Sequence, residues 1–180
     1  MNPAIADDLK DKFIKISLLI LDVDGVLTDG RIIMDDKGRE LKHFNVKDGH
    51  GIKMLLRAGI QVIFLTGRTS RVVAHRAHDL GITDIYQGAK NKVGVFEDLL
   101  MSKGIPSEKI AYMGDDVVDV PLFKRVGLSI AVANACFDAV RTADYVTEKK
   151  GGRGAVRDVC ELILRLQGKW EEVISRYEMF

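Results

Sequence analysis

Four short, dominantly apolar runs constrain this chain more than any other feature of its sequence. They lie at residues 16–21 (ISLLIL), 60–65 (IQVIFL), 110–113 (IAYM) and 128–132 (LSIAV), with a weaker one at 84–86. Runs of this length, rich in Val, Ile and Leu, read as strands buried on both faces, hence as a parallel sheet. Amphipathic stretches separate them. Ile52, Leu55 and Leu56 lead to Gly59; Val72, Val73, Ala77 and Leu80 lead to Gly81; Phe96, Leu99 and Leu100 lead to Gly104. Each glycine is a plausible helix stop. Near the end, Val156, Val159, Cys160 and Ile163 recur at helical spacing and mark one face of a last helix. Strand alternating with helix predicts an α/β fold, a doubly wound Rossmann-like parallel sheet with right-handed crossovers.

One segment breaks the alternation. Between residues 31 and 46, two short runs flank Asp35-Asp36-Lys37-Gly38, which reads as a hairpin turn. A hairpin placed there projects above the carboxyl edge of the sheet as a flap. No repeat, low-complexity tract or linker interrupts the 180 residues, and a chain of this length predicts one domain. The tail from about 168 to 180 is charged and is expected to extend away from the core.

Composition narrows the function classes. With 27 Lys+Arg against 26 Asp+Glu, the net charge of +1 lacks the basic excess of a general nucleic-acid or acidic-membrane binder. No apolar run approaches the roughly 18 residues of a membrane span. The N-terminus, MNPAIADDLKDKF, lacks the order of a signal peptide. Cys136 and Cys160 make neither a disulfide framework nor a CxxC site, so a reducing cytoplasm is expected.

Ligands of open α/β sheets sit at the carboxyl ends of the strands. Asp22-Val23-Asp24-Gly25 follows the first run, Thr66-Gly67-Arg68 the second, and Gly114-Asp115-Asp116 the third, with Asp119 just beyond. So many acids on one rim are costly unless a cation neutralises them. An all-oxygen set with room for a phosphate suits Mg²⁺. An EF-hand reading fails, because Val26 and Leu27 stand where that loop needs a ligand and a glycine. Neither GxGxxG nor a P-loop occurs. Taken singly, the residues have plainer readings: Asp115 and Asp116 as helix caps, Asp22 and Asp24 as a turn, Lys92 as a solvated lysine. Their joint placement at strand ends favours chemistry. His75 and His78 fall opposite the Val73/Ala77/Leu80 face and read as surface residues, and Cys160 reads as a small core hydrophobe.

Asp22-Val-Asp24-Gly-Val-Leu-Thr28 resembles the first motif of the haloacid dehalogenase-like phosphatases, DxDGxxT. Leu65-Thr66-Gly67-Arg68, Lys92 and Gly114-Asp115-Asp116-Val-Val-Asp119 resemble the second, third and fourth. Leu27-Thr28-Asp29-Gly30, Asp48-Gly49-His50-Gly51-Ile52-Lys53 and Gly151-Gly152-Arg153-Gly154-Ala155-Val156-Arg157 are similar to segments of the 3-deoxy-D-manno-octulosonate 8-phosphate phosphatases. The resemblance implies a Mg²⁺-dependent phosphomonoesterase that frees the eight-carbon sugar acid for lipopolysaccharide building. Asp22 is then the nucleophile and Asp24 the general acid and base. Asp115, Asp22 and the Asp24 main-chain carbonyl hold Mg²⁺, while Asp116 and Asp119 hold its waters or orient Lys92. Thr66, Gly67 and Lys92 bind the phosphoryl group.

Larger members of this family carry a cap domain. Here the stretch from Asp22 to Thr66 is filled by the hairpin, one helix and one strand, and that from Thr66 to Lys92 by a helix and a short strand. No cap fits. The resemblance therefore implies a homotetramer in which neighbouring subunits complete each site. Arg68, Arg153 and Arg157 are candidates for gripping the carboxylate of the sugar acid, and the Gly151–Gly154 turn reads as flexible enough to swing Arg153 onto an anion. A nine-carbon sugar-acid 9-phosphate is the alternative substrate. A receiver-type phospho-acceptor module and a non-catalytic assembly module are rivals from other classes. The DxDG order after the first strand disfavours the former, and the intact Asp22/Asp24/Lys92/Asp115 set disfavours the latter.

Overall fold

The computed structural model describes residues 5–177. Its centre is a six-stranded sheet, built from β1 (Leu18–Leu21), β4 (Gln61–Leu65), β5 (Ile85–Tyr86), β6 (Ile110–Gly114), β7 (Leu128–Ala131) and β8 (Tyr145–Val146). The strands run in the order β5-β4-β1-β6-β7-β8 and every pair is parallel. The chain winds outward from β1 to β5, then returns to the other side of β1 with β6. That reversal opens a crevice at the carboxyl end of β1.

Strand alternation divides the core into two layers. Leu19 and Leu21 face one side with Val62, Phe64, Ala111 and Met113; Leu18 and Ile20 face the other with Ile63, Leu65, Ile110 and Tyr112. The first side is covered by α1 (Asp7–Lys15), α2 (Val46–Arg57), α3 (Arg71–Leu80) and α7 (Ala155–Leu166), through Phe13, Ile52, Val73 and Val156 among others. The second is covered by α4 (Lys92–Lys103), α5 (Val120–Phe123) and α6 (Phe137–Thr142), through Phe96, Leu122 and Ala139. Each buried Leu, Ile or Phe contributes about 1.5–3 kcal/mol. This core leaves the strand ends free to hold costly polar groups. His75 and His78 are exposed and Cys160 is buried, as their helical positions predict. No helix among the described residues is long and apolar enough to cross a membrane.

Helices α1, α5 and α6 and strand β8 have no counterpart in the periodicity reading, because each is short or lacks a continuous apolar stripe. The hairpin strands β2 (Ile33–Met34) and β3 (Glu40–Leu41) pair antiparallel around Asp35–Gly38. The Asp35 carboxylate accepts the Lys37 and Arg39 amides across that turn.

Two expectations are overturned. The tail does not extend away over the residues described: α8 (Trp170–Ser175) folds back beside α7, burying Val173 and laying the Trp170 ring 3.9 Å from the Arg165 guanidinium. Residues 178–180 lie outside the description. Nor is the 151–154 turn a swinging segment. A Cβ on Gly151 would strike the Gly25 carbonyl, and the Gly152 amide donates to the Val26 carbonyl at 2.8 Å. These glycines serve close backbone approach rather than mobility.

Asp48, on α2, is buried and accepts the amides of Arg157 at 2.8 Å and Gly154 at 3.2 Å. Gly154 is the N-cap of α7 and has no side chain to cap with, so Asp48 caps that helix from across the core. Burial raises the Asp48 pKa above its ordinary value, and the two amides oppose that rise. Asp48→Ala is expected to lower stability by about 1–2 kcal/mol in denaturant unfolding, and Asp48→Asn, which keeps one acceptor, by less. An alanine variant as stable as the parent contradicts the capping role.

Candidate active site

The sheet extends one amide past β1, where Asp22 donates its N–H to the Met113 carbonyl at 3.0 Å. The chain then turns back on itself. The Leu27 and Thr28 amides return to the Val23 carbonyl, and the Thr28 hydroxyl accepts the Gly25 and Gly30 amides at 3.3 Å. Gly25 has φ 94°, and any Cβ there would collide with the Asp115 carboxylate. Glycine is thus demanded twice, by conformation and by space. The loop after β1 is held against the loop after β6.

Lys92 enters from the start of α4, and its Nζ lies 3.1 Å from Asp22 Oδ1 and 2.7 Å from Asp119 Oδ1. Asp119 is fully buried. Its Oδ1 also accepts the Tyr112 hydroxyl at 2.6 Å, and its Oδ2 accepts the amides of Asp115 and Asp116 at 2.9 and 3.1 Å. Both oxygens of Asp119 are therefore committed to protein groups, and it orients Lys92 and the β6 loop. Asp116 makes no contact with Lys92: it is exposed, its carboxylate accepts the Val117 amide, and it lines the cavity beside Asp115.

Oxygens of Asp22, Asp115 and Asp119 lie within 4.8 Å of one another. Asp115 Oδ1 is buried with no hydrogen-bond partner. An orphaned carboxylate oxygen beside a second carboxylate fits a hard divalent cation, with Asp22 and Asp115 as donors. The electrostatics agree. Burial pushes the Asp22 pKa up to about 6 against the downward pull of Lys92. Burial and the neighbouring charges of Asp22 and Asp119 push Asp115 up to about 7. Burial works against the Lys92 ammonium, but Asp22 and Asp119 outweigh it and raise its pKa above the ordinary value.

A cavity of about 380 Å³ opens over this cluster, lined by Asp22, Asp24, Thr66, Gly67, Arg68 and Lys92 among others. Thr66 is buried at the end of β4, and Arg68 is exposed at the mouth. Arg68 already meets acids, with Glu40 at 2.9 Å and Asp24 at 3.7 Å. The other two arginines lie outside the cavity. Arg153 pairs with Asp29 at 3.2 Å, and Arg157 pairs with Glu161 at 2.6 Å. Three contributors escape sequence reasoning. Tyr112 hides inside an apolar strand run, and its phenol is the only signal it offers. Glu40 and Lys42 belong to the hairpin and reach the site only through the fold.

A family model described as haloacid dehalogenase-like hydrolase matches residues 79–159. The 3-deoxy-D-manno-octulosonate 8-phosphate phosphatase of Escherichia coli K12 is 51% identical over 168 residues, covering 93% of this chain and 89% of that protein. The crystal structure of the phosphatase of that name from Yersinia pestis is 48% identical with TM-score 0.91, covering 93% of this chain and 90% of that one. That from Moraxella catarrhalis, in complex with a magnesium ion, a phosphate ion and a KDO molecule, is 40% identical with TM-score 0.93, covering 96% and 99%. With the motifs gathered at the switch point of a capless parallel sheet, this similarity shows that the chain belongs to the 3-deoxy-D-manno-octulosonate 8-phosphate phosphatase family of haloacid dehalogenase-like hydrolases.

Proposed function

We propose that this chain hydrolyses 3-deoxy-D-manno-octulosonate 8-phosphate to the free sugar acid and phosphate in the cytoplasm, as a step toward lipopolysaccharide. The observation that carries the reading is the pairing of Asp22 with Lys92, 3.1 Å apart on the floor of a cavity that Asp24 and Thr66 also line. A carboxylate nucleophile beside an ammonium can approach a phosphate dianion that it would otherwise repel.

Asp22 attacks phosphorus, forming an Asp22 Oδ–P bond as the P–O bond to the sugar breaks. Asp24 gives its proton to the departing alkoxide. It then takes a proton from water, whose oxygen attacks the aspartyl-phosphate, releasing inorganic phosphate and restoring Asp22. Lys92 and Thr66 hold phosphoryl oxygens, and Asp119 keeps Lys92 aimed. Mg²⁺, held by Asp22, Asp115 and the Asp24 main-chain carbonyl, supplies charge stabilisation for the phosphoryl group.

The assembly belongs to the same proposal. Ile32, Met34 and Leu41 on the hairpin are each more than half exposed, an apolar surface that packing against copies of the same hairpin buries. A homotetramer whose neighbours close each site supplies the cover that no cap provides. Arg153 and Arg157, which lie outside their own cavity, are available to a neighbouring one.

Phosphate release across a panel of phosphorylated sugars and sugar acids, with Mg²⁺ and with chelator, tests the reading. The eight-carbon 3-deoxy-2-keto acid phosphate is expected to have the highest kcat/KM, by about tenfold or more over hexose phosphates, and chelation is expected to stop turnover. Equal efficiency on hexose phosphates overturns the substrate, and a better nine-carbon acid phosphate reassigns it. Full activity of a species that light scattering shows to be monomeric overturns the shared site.

A further inference from the structure

Lys42 has no part in the mechanism above, yet its side chain is only 2% exposed. An ammonium so buried is costly unless paired, and its partners are two carboxylates. Nζ bonds Asp24 Oδ1 and lies 3.1 Å from Glu40 Oε1. Glu40 and Lys42 stand two residues apart at the end of β3, the spacing that puts both side chains on one face of an extended chain. Glu40 is fixed in turn by the Ser70 hydroxyl at 2.6 Å and by Arg68 at 2.9 Å. The hairpin is thereby tied to the loop between β4 and α3, with Lys42 at the end of the chain of contacts.

The consequence falls on Asp24. Its Oδ1 is taken by Lys42, whereas its Oδ2 is buried with no hydrogen-bond partner. Arg68 Nε lies 3.7 Å from Oδ2, too far for a hydrogen bond. A carboxylate free to rotate presents either oxygen to a reacting group. One pinned at Oδ1 presents Oδ2 alone, and proton transfer is sensitive to displacements of this kind.

We propose that Lys42 is a positioning residue for the proton-transfer step: held by Glu40, it clamps Asp24 Oδ1 so that Oδ2 faces the departing oxygen of the substrate. The inference rests on the reading of Asp24 as general acid.

The leaving group separates this role from a structural one. An alkoxide needs a proton to leave, whereas p-nitrophenolate leaves without one. With enzyme in excess and Mg²⁺ present, Lys42→Met is expected to slow the single turnover of the sugar-acid phosphate by about 10–100-fold. Release of p-nitrophenolate from p-nitrophenyl phosphate is expected to slow by less than about threefold. In an Asp24→Asn background, adding Lys42→Met is expected to cost nothing further, because its effect passes through Asp24. Lys42→Arg, which keeps a cation, is expected to recover most of the sugar-phosphate rate. Since Lys42→Met leaves Asp24 and Glu40 facing each other, Glu40→Gln/Lys42→Met serves as the folded control if the single variant melts early, and the same split is expected of it. Equal losses on both substrates, or additive losses with Asp24→Asn, overturn the inference while leaving Asp24 as acid. Wild-type rates for Asp24→Asn alone overturn both.

Discussion

An Asp22→Asn variant is expected to lose turnover by about four orders of magnitude or more while keeping its fold, since residues that form the covalent bond cost most when removed. The change is nearly isosteric, so the packing around β1 has no reason to move. Nor does the amide strand its neighbours: Lys92 keeps Asp119 at 2.7 Å and the Tyr112 hydroxyl at 3.1 Å. In wild type, burial already pushes Asp22 up to about 6, so a charged Asp22 is a strained occupant of the metal-free site. Replacing it removes a cost as well as a contact, and the melting temperature in chelator is expected to stay close to the parent's. Rapid acid quench after mixing with substrate should trap a phosphorylated chain in wild type and none in the variant. Turnover within about tenfold of wild type by a folded Asp22→Asn protein removes Asp22 as nucleophile.

Much of this arrangement is legible in the sequence, because the buried strands advertise themselves. A parallel strand covered on both faces must be apolar along its whole length, so the residues that end each run are the residues that reach the rim. That logic finds Asp22, Thr66 and Asp115 without a structure. It fails where the deciding physics is not periodic. Glu40 and Lys42 sit on a hairpin whose strands are two residues each, too short to show which face meets the site. The glycines at 151–154 read as flexibility, whereas the Gly25 carbonyl crowding Gly151 shows a packing requirement. Asp48 sits in a helix between Lys47 and Gly49, where nothing local marks it as a cap, and its cap on α7 is made across more than a hundred residues of chain. Arg153 and Arg157 share a motif with those glycines, but proximity in sequence did not bring them to their own cavity.

Asp115 carries the second large effect, and its sign can be worked out. An ordinary aspartate ionises near pH 4; in the folded, metal-free protein, burial and the charges of Asp22 and Asp119 push Asp115 up to about 7. Between those two values the folded state keeps a proton that the unfolded chain has released. The metal-free protein therefore loses stability from this group as pH rises from about 4 to 7, the reverse of a salt-bridged carboxylate. Asp22, pushed up to about 6, acts in the same direction. A divalent cation between them binds the ionised forms, so its stabilisation grows as those protons leave. The rise in melting temperature on adding Mg²⁺ is accordingly expected to be larger at pH 8 than at pH 5. Asp115→Asn is expected to abolish most of that rise, to flatten the pH slope in chelator relative to wild type, and to lower turnover by about a hundredfold or more. Comparing the two proteins isolates Asp115 from carboxylates whose pKa is lowered, such as Asp144, where burial is outweighed by Lys12 and Ser129 and the slope is opposite. Equal Mg²⁺ shifts at both pH values, or an Asp115→Asn enzyme with undiminished turnover, would remove Asp115 from the metal site and leave its buried, unpartnered oxygen without a purpose.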